Sequence, residues 1–200
     1  MAITEIVIIV CWVIFWAVIL VTALKTKPVA EREPLSNRLL YGIPILLAVF
    51  LLFSGISSQP APGTGLKQPI YSLNVPVLPA TTSIMIIGLI LTIFGLFIAL
   101  WARVMLGTNW SVTVTFKEDH ELIEKGPYAY VRHPLYTGLL LMFLGTAVMA
   151  GTLGGLLGFP VLFIGCWIKL KQEEAMMTKH FGEKYLRYTT RVKALIPYVL

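Results

Sequence analysis

The stretch Gly126-Pro-Tyr-Ala-Tyr-Val-Arg-His-Pro-Leu-Tyr-Thr-Gly138 gathers Arg132, His133 and three tyrosines at the mouth of a long uncharged segment. Pro134 suits the first position of a helix, where its missing N–H costs nothing, and His133 then takes the cap position. The unpaired amides of such a helix start can hold an anionic group such as a carboxylate. Tyr128, Tyr130 and Tyr136 offer flat faces for an aromatic ring and hydroxyls to fix it. Gly138, one turn further in, lets another backbone or a ligand come close. Singly each residue has an ordinary reading, since arginines and tyrosines commonly mark a membrane boundary. Gathered within one short stretch, they favour a binding site.

A carboxylate joins them from further along the chain. Met177, Phe181, Tyr185, Tyr188 and Val192 recur at helical spacing and predict an amphipathic helix in the C-terminal segment after Lys169. Glu173 stands one turn before Met177 on the same face, and an inward carboxylate at a membrane boundary is costly without a partner or ligand. Glu174 is rotated about 100° away on an ideal helix and is expected to face elsewhere.

The elements that position these groups follow from composition. With 57% hydrophobic and 13% charged residues over a length of 200, and a mean hydropathy of +0.81, the chain is too apolar for a water-soluble domain. Residues 6–24, 39–56 and 80–102 carry no charge, and each is long enough to cross a hydrocarbon core. Residues 134–168 are also uncharged, but one helix of that length would reach about 50 Å, so the chain must turn back. The glycines of Gly151-Thr-Leu-Gly-Gly155 mark the reversal. The expected fold is therefore an all-α integral membrane domain of about five spans, near 3–24, 39–56, 80–102, 134–150 and 154–169. The hairpin of the last two returns residue 169 to the side where residue 133 entered.

Basic residues fall on one side of this topology. The 25–38 connection holds Lys25, Lys27, Arg32 and Arg38; the 103–132 connection holds Arg103, Lys117, Lys125 and Arg132; seven more follow residue 168. The other connections carry only Lys67. The positive-inside rule then predicts an outer N-terminus, with the two basic connections and the C-terminus cytoplasmic. The net charge of +6 is read as topology and attraction to anionic lipid, with no nucleic-acid partner. The first apolar segment lacks a basic residue before it and is too long for a signal peptide, so it is expected to remain as a span. Ser57 to Pro79, rich in proline, is expected to form an irregular outer loop. Cys11 and Cys166 lie in predicted helices without metal-ligand spacing and are assigned to packing, with no metal site.

The order His120-Glu-Leu, Gly126-Pro-Tyr, Arg132-His-Pro-Leu-Tyr-Thr-Gly138, Glu173-Glu174, Phe181-Gly-Glu-Lys-Tyr, Tyr188 and Ile196-Pro197 resembles the isoprenylcysteine carboxyl methyltransferase family and the related phospholipid methyltransferases. The resemblance spans roughly residues 95–200. It implies an S-adenosylmethionine-dependent methyltransferase with a five-span core, its cofactor region formed by about 103–136 and 169–200. Carried over by position, His120, Glu121, Leu122, Ile123, Tyr128, His133, Pro134, Leu135 and Tyr136 match cofactor-contacting segments, and Glu173 the acidic residue that completes the pocket. Lys169 stands where eukaryotic members have an arginine implicated in binding the substrate carboxylate. It keeps the charge but loses the bidentate fork. Thr113 stands where animal members place a cofactor-contacting glutamine.

The implied acceptor is a lipid-phase small molecule or a prenylated group, entering sideways between helices. A sulfonium methyl is already activated, so alignment and water exclusion are the main tasks, and no catalytic base is assigned. Membrane sterol reductases, which bind a nicotinamide cofactor, share an Arg-His-Pro-x-Tyr-x-Gly segment. They usually carry Asn after the Pro and Asp after the Gly, where this chain has Leu135 and Leu139. A noncatalytic scaffold or transporter is the third reading. It would not require the His133 cluster, and a transporter would be expected to place polar residues near mid-membrane.

Overall fold

The computed structural model of the chain describes residues 3–54, 73 and 75–200. The helices are α1 (Ile3–Ala23), α2 (Leu35–Ser54), α3 (Thr82–Leu106), α4 (Pro134–Ala150), α5 (Leu153–Phe181) and α6 (Glu183–Arg191). Strands β1 (Val29–Arg32) and β2 (Thr115–Lys117) and short 3-10 turns at Gly107–Asn109 and Gly126–Ala129 lie in the connections. Helices α1, α2, α3 and α5 are each long and apolar enough to cross a membrane, and α4 is a shorter apolar helix. The chain is a helical integral membrane protein. Its helices pack in the spatial order α1, α3, α4, α5, α2.

The α3–α4 contact explains that order. Gly88 and Gly95 face Gly145 and Gly138, and a Cβ built on Gly95 would lie 2.6 Å from the Gly138 carbonyl oxygen. The helices thus touch backbone to backbone, as small residues permit in lipid. What approaches Gly138 is α3 rather than a ligand. Thr92 and Thr146 satisfy their hydroxyls on the backbone within this seam, and Trp12 Nε1 donates to Thr146 Oγ1 at 3.0 Å, tying α1 to it. Cys11 and Cys166 are buried in the apolar clusters.

The α4–α5 reversal is built on glycine and threonine. Gly151, at φ +62°, ends α4 in a left-handed conformation that a side chain would resist. Thr152 then caps α5 by accepting from the Gly155 amide at 3.3 Å. Val77 and Leu78 donate their amides to the Gly151 carbonyl at 2.7 and 3.1 Å, so the end of the preceding connection covers the hairpin. Most of the expected Ser57–Pro79 loop, with Lys67, lies outside the described residues.

Several boundaries differ from expectation. Helix α3 runs past residue 102 because the buried Arg103 guanidinium donates to Gly107 and Thr22 carbonyls and lies over the Trp110 ring, 4.4 Å from its centroid. Helix α2 begins at Leu35, before the charged Arg38 rather than after it. The second arm of the hairpin, expected to end at 169, continues to Phe181, since nothing between 169 and 181 breaks a helix. The expected single C-terminal helix is divided instead at Gly182, φ +52°, which puts Met177 and Phe181 on α5 and Tyr185 and Tyr188 on α6. Tyr185 and Tyr188 are buried against protein, so α6 folds onto the rest of the chain.

The charged connections meet at one end of the bundle. β1 pairs antiparallel with β2 in the register Glu31↔Phe116 and Arg32↔Thr115, joining the loop before α2 to the loop after α3. Phe116 is stacked between His120 and His180, with centroid distances of 4.8 and 3.7 Å, which brings the end of α5 onto this sheet.

Candidate cofactor and acceptor site

Three segments converge at that end: the loop after α3, the start of α4, and the last turns of α5 with α6. Residues 131–133 run beside the chain terminus, where Arg132 and His133 donate their amides to the Lys193 and Ala194 carbonyls at 2.8 and 2.9 Å. This holds His133 as the cap residue of α4, without its side chain capping, and Pro134 as the first helical residue. The ring of His133 is stacked against Tyr136, 5.7 Å between centroids.

Both glutamates of α5 face this histidine. His133 Nδ1 lies 3.6 Å from Glu173 and Nε2 lies 3.4 Å from Glu174. Tyr136 donates its hydroxyl to Glu173 at 2.5 Å. Arg132 donates to Glu174 through Nε at 2.9 Å and through Nη2, and its other nitrogen donates to the Val192 carbonyl at 2.5 Å. The expectation that Glu174 faces away is therefore corrected. Its carboxylate is the one bound to the half-buried arginine, which the pairing of residues 132 and 133 with 193 and 194 holds in place. Burial works against a charged His133, but the two carboxylates outweigh it and hold its pKa above the usual value.

His120 sits in the opposite regime. Burial first, then the positive charges of Lys27 and Lys117, press its pKa down to about 4. The ring is thus neutral at physiological pH, and its Nδ1 accepts from the Lys117 amide at 3.3 Å. That bond and the Phe116 stack fix the start of the 120–123 segment.

A cleft open to solvent lies between these parts. His120, Glu121, Leu122, Ile123, Tyr128, His133, Leu135, Tyr136 and Glu173 line it, as does Thr113. Pro134 does not; it is buried beneath as the start of α4. Tyr130 is 62% exposed and points away. Lys169 lies beside the cleft, its ammonium donating to the Val112 carbonyl at 2.6 Å and standing 5.4 and 5.5 Å from the Tyr41 and Tyr136 ring centroids. Residues not anticipated as cleft lining are Leu106, Asn109, Trp110, Ser111, Thr115, Met177, Tyr185 and Tyr188. The recurrence of hydroxyl residues at 111, 113 and 115 was the available signal, although the chain bends there before β2 begins.

Comparison with known proteins places the chain in a family. The sequence model of the family described as phospholipid methyltransferase matches residues 83–184, about half of the chain, from α3 through the first residues of α6. The chain belongs to that family. It is 37% identical over 101 residues to a protein-S-isoprenylcysteine O-methyltransferase of Schizosaccharomyces pombe, covering 49% of this chain and 43% of that protein. It is 31% identical over 127 residues to the Homo sapiens protein of that name, covering 62% and 45%. With protein-S-isoprenylcysteine O-methyltransferase B of Arabidopsis thaliana it shares 27% over 176 residues, covering 85% and 81%. The fold is similar to that of the eukaryotic intramembrane Ras methyltransferase ICMT, with a TM-score of 0.51 at 24% identity over 80% of this chain and 52% of that one. The chain spans about half the length of most of these relatives or less, the Arabidopsis protein being the exception.

Proposed function

We propose that the chain is an S-adenosylmethionine-dependent methyltransferase whose acceptor is a lipid-phase carboxylate, a prenylcysteine-like or isoprenoid acid. The observation that carries this reading is the cleft at the end of a lipid-embedded bundle where residues 120–123, Tyr128, His133, Tyr136 and Glu173 meet, in a chain of the phospholipid methyltransferase family. The lining suits such a cofactor. Glu173 supplies acceptor oxygens for hydroxyl or ammonium donors, the aromatic residues supply flat faces, and Asn109 Oδ1 is buried beside the cleft without a hydrogen-bond partner.

S-adenosylmethionine, when bound, supplies an electrophilic sulfonium methyl. The chain's own part is to bind, orient and exclude water. Tyr136 and His133 hold the Glu173 carboxylate in place, and His120 anchors the 120–123 wall in its neutral form. Lys169 keeps an ammonium near the cleft edge, within reach of the acceptor's carboxylate once it lets go of the Val112 carbonyl. A carboxylate is already a nucleophile, so no general base is needed.

The cleft is assigned to the cytoplasmic side, and the N-terminus to the outside, because the basic connections all flank the cleft. A single cysteine introduced at Lys193, which is exposed, should resist an impermeant label in intact cells, and one at Gly63, outside the described residues, should react. Labelling in the reverse pattern rejects the orientation. Cofactor choice is tested by binding of radiolabelled S-adenosylmethionine to the purified protein in competition with NADPH, followed by methyl transfer to a prenylcysteine analogue in liposomes. Binding of NADPH alone would overturn the reading.

A further inference from the structure

The segment Ser111–Thr115, which bends into the start of β2, forms one wall of the cleft, with Ser111, Thr113 and Thr115 lining it and Val112 and Val114 not. Its inner side is self-bonded: Ser111 Oγ donates to the Thr113 carbonyl at 2.6 Å and lies 2.5 Å from Thr115 Oγ1. From the back, one residue holds the wall at both of its main-chain handles. Glu33 donates its amide to the Val114 carbonyl at 3.3 Å, and its carboxylate Oε1 accepts the Val114 amide at 3.1 Å. The same oxygen accepts the Tyr41 hydroxyl at 2.5 Å, and Tyr41 is one of the two rings facing the Lys169 ammonium. Arg38 Nε also stands 3.5 Å from that oxygen.

Glu33 is only 6% exposed, and a carboxylate taken out of water is unfavourable unless its bonds repay the lost hydration. It lies well before residue 83, outside the stretch that matches the family. We propose that Glu33 is a positioning residue for the cofactor pocket: its carboxylate sets the Ser111–Thr115 wall and, through Tyr41, the ring beside Lys169. The connection between α1 and α2 thereby shapes a site whose lining comes wholly from residues after 105. The inference rests on the reading of the cleft as an S-adenosylmethionine site.

The test uses the full chain in lipid nanodiscs, with three readouts: S-adenosylmethionine Kd, acceptor KM and thermal midpoint. Glu33→Ala frees the Val114 amide and the Tyr41 hydroxyl together, and should weaken S-adenosylmethionine roughly tenfold while raising acceptor KM, with kcat at saturation changed much less. Glu33→Gln keeps a carbonyl oxygen for Val114 and should restore most of the binding. Should the alanine variant fail to fold, Glu33→Asp takes its place, since its shorter side chain cannot reach Val114 without moving the wall. Folded Ala or Asp variants that bind S-adenosylmethionine as the parent does overturn the proposal. A parent that does not bind it overturns the reading of the cleft instead, so the two failures are distinguishable.

Discussion

The bundle and its charged end are held by different forces. Within the bundle, α3 and α4 lie against each other through glycines, and the polar contacts are a few threonine and tryptophan bonds. At the charged end, nearly every side chain that matters is positioned by a hydrogen bond or ion pair to another segment: Arg132 to the terminus and Glu174, Tyr136 to Glu173, Glu33 to Val114. Lipid offers no hydrophobic drive between helices, so shape decides there. Near water, directional bonds decide, and they can hold a cleft open where close packing would fill it.

Substitutions can break each half separately. The largest effect is expected in the seam, where Gly138→Val would drive side-chain atoms into the α3 backbone and cost ~3 kcal/mol or more, at the upper end for overpacking. Thermal unfolding in detergent checks this, with Gly42→Ala as the contrast, since nothing lies within 4 Å of a Cβ there. A Gly138→Val protein as stable as the parent would refute the close seam.

At the charged end, Glu174→Gln and Glu173→Gln should separate stability from binding. The Arg132–Glu174 pair is nearly buried, with side chains 10% and 13% exposed, so Glu174→Gln leaves an uncompensated cation and should cost about 3 kcal/mol of stability. Glu173→Gln should lower the thermal midpoint less but weaken S-adenosylmethionine roughly tenfold or more, the loss expected for one hydrogen bond to a charged group. Equal midpoints for the two variants would remove the division of labour.

Acid should loosen the cleft wall before the seam. The depressed pKa of His120 means that its contribution is present above the unfolded value near 6.5 and is lost as pH falls through that value toward about 4. The thermal midpoint should decline between pH 7 and 5, and His120→Asn should flatten that decline. The smallest effect is expected for Lys169→Ala, which should raise acceptor KM a fewfold, with S-adenosylmethionine affinity nearly unchanged and Lys169→Arg tolerated. Equal KM values for parent and alanine variant would assign Lys169 to headgroup contact alone.

Much was legible in the linear chain because the bilayer imposes simple rules. Long uncharged runs located the helices, Pro134 and Gly151 marked where α4 starts and ends, and the motifs from His120 to Glu173 named most of the cleft's lining. Helix ends near water were less legible. A charge reads as a boundary, yet α3 carries Arg103 inside it and α5 continues through Lys169, Lys171, Glu173 and Glu174, because distant segments bring hydrogen-bond partners to Arg103, Lys169, Glu173 and Glu174, while Lys171 pairs with Glu174 on the same helix.

What the sequence determined by itself was the class of molecule, an integral membrane bundle with chemistry gathered at one end, since hydropathy and local turn chemistry act along the chain. The tertiary structure alone decided that both glutamates face His133, that Gly138 meets a helix, and that Glu33 holds the wall opposite Glu173. Each of these is a contact between residues far apart in sequence, and its geometry depends on how the helices pack and where the terminus folds back.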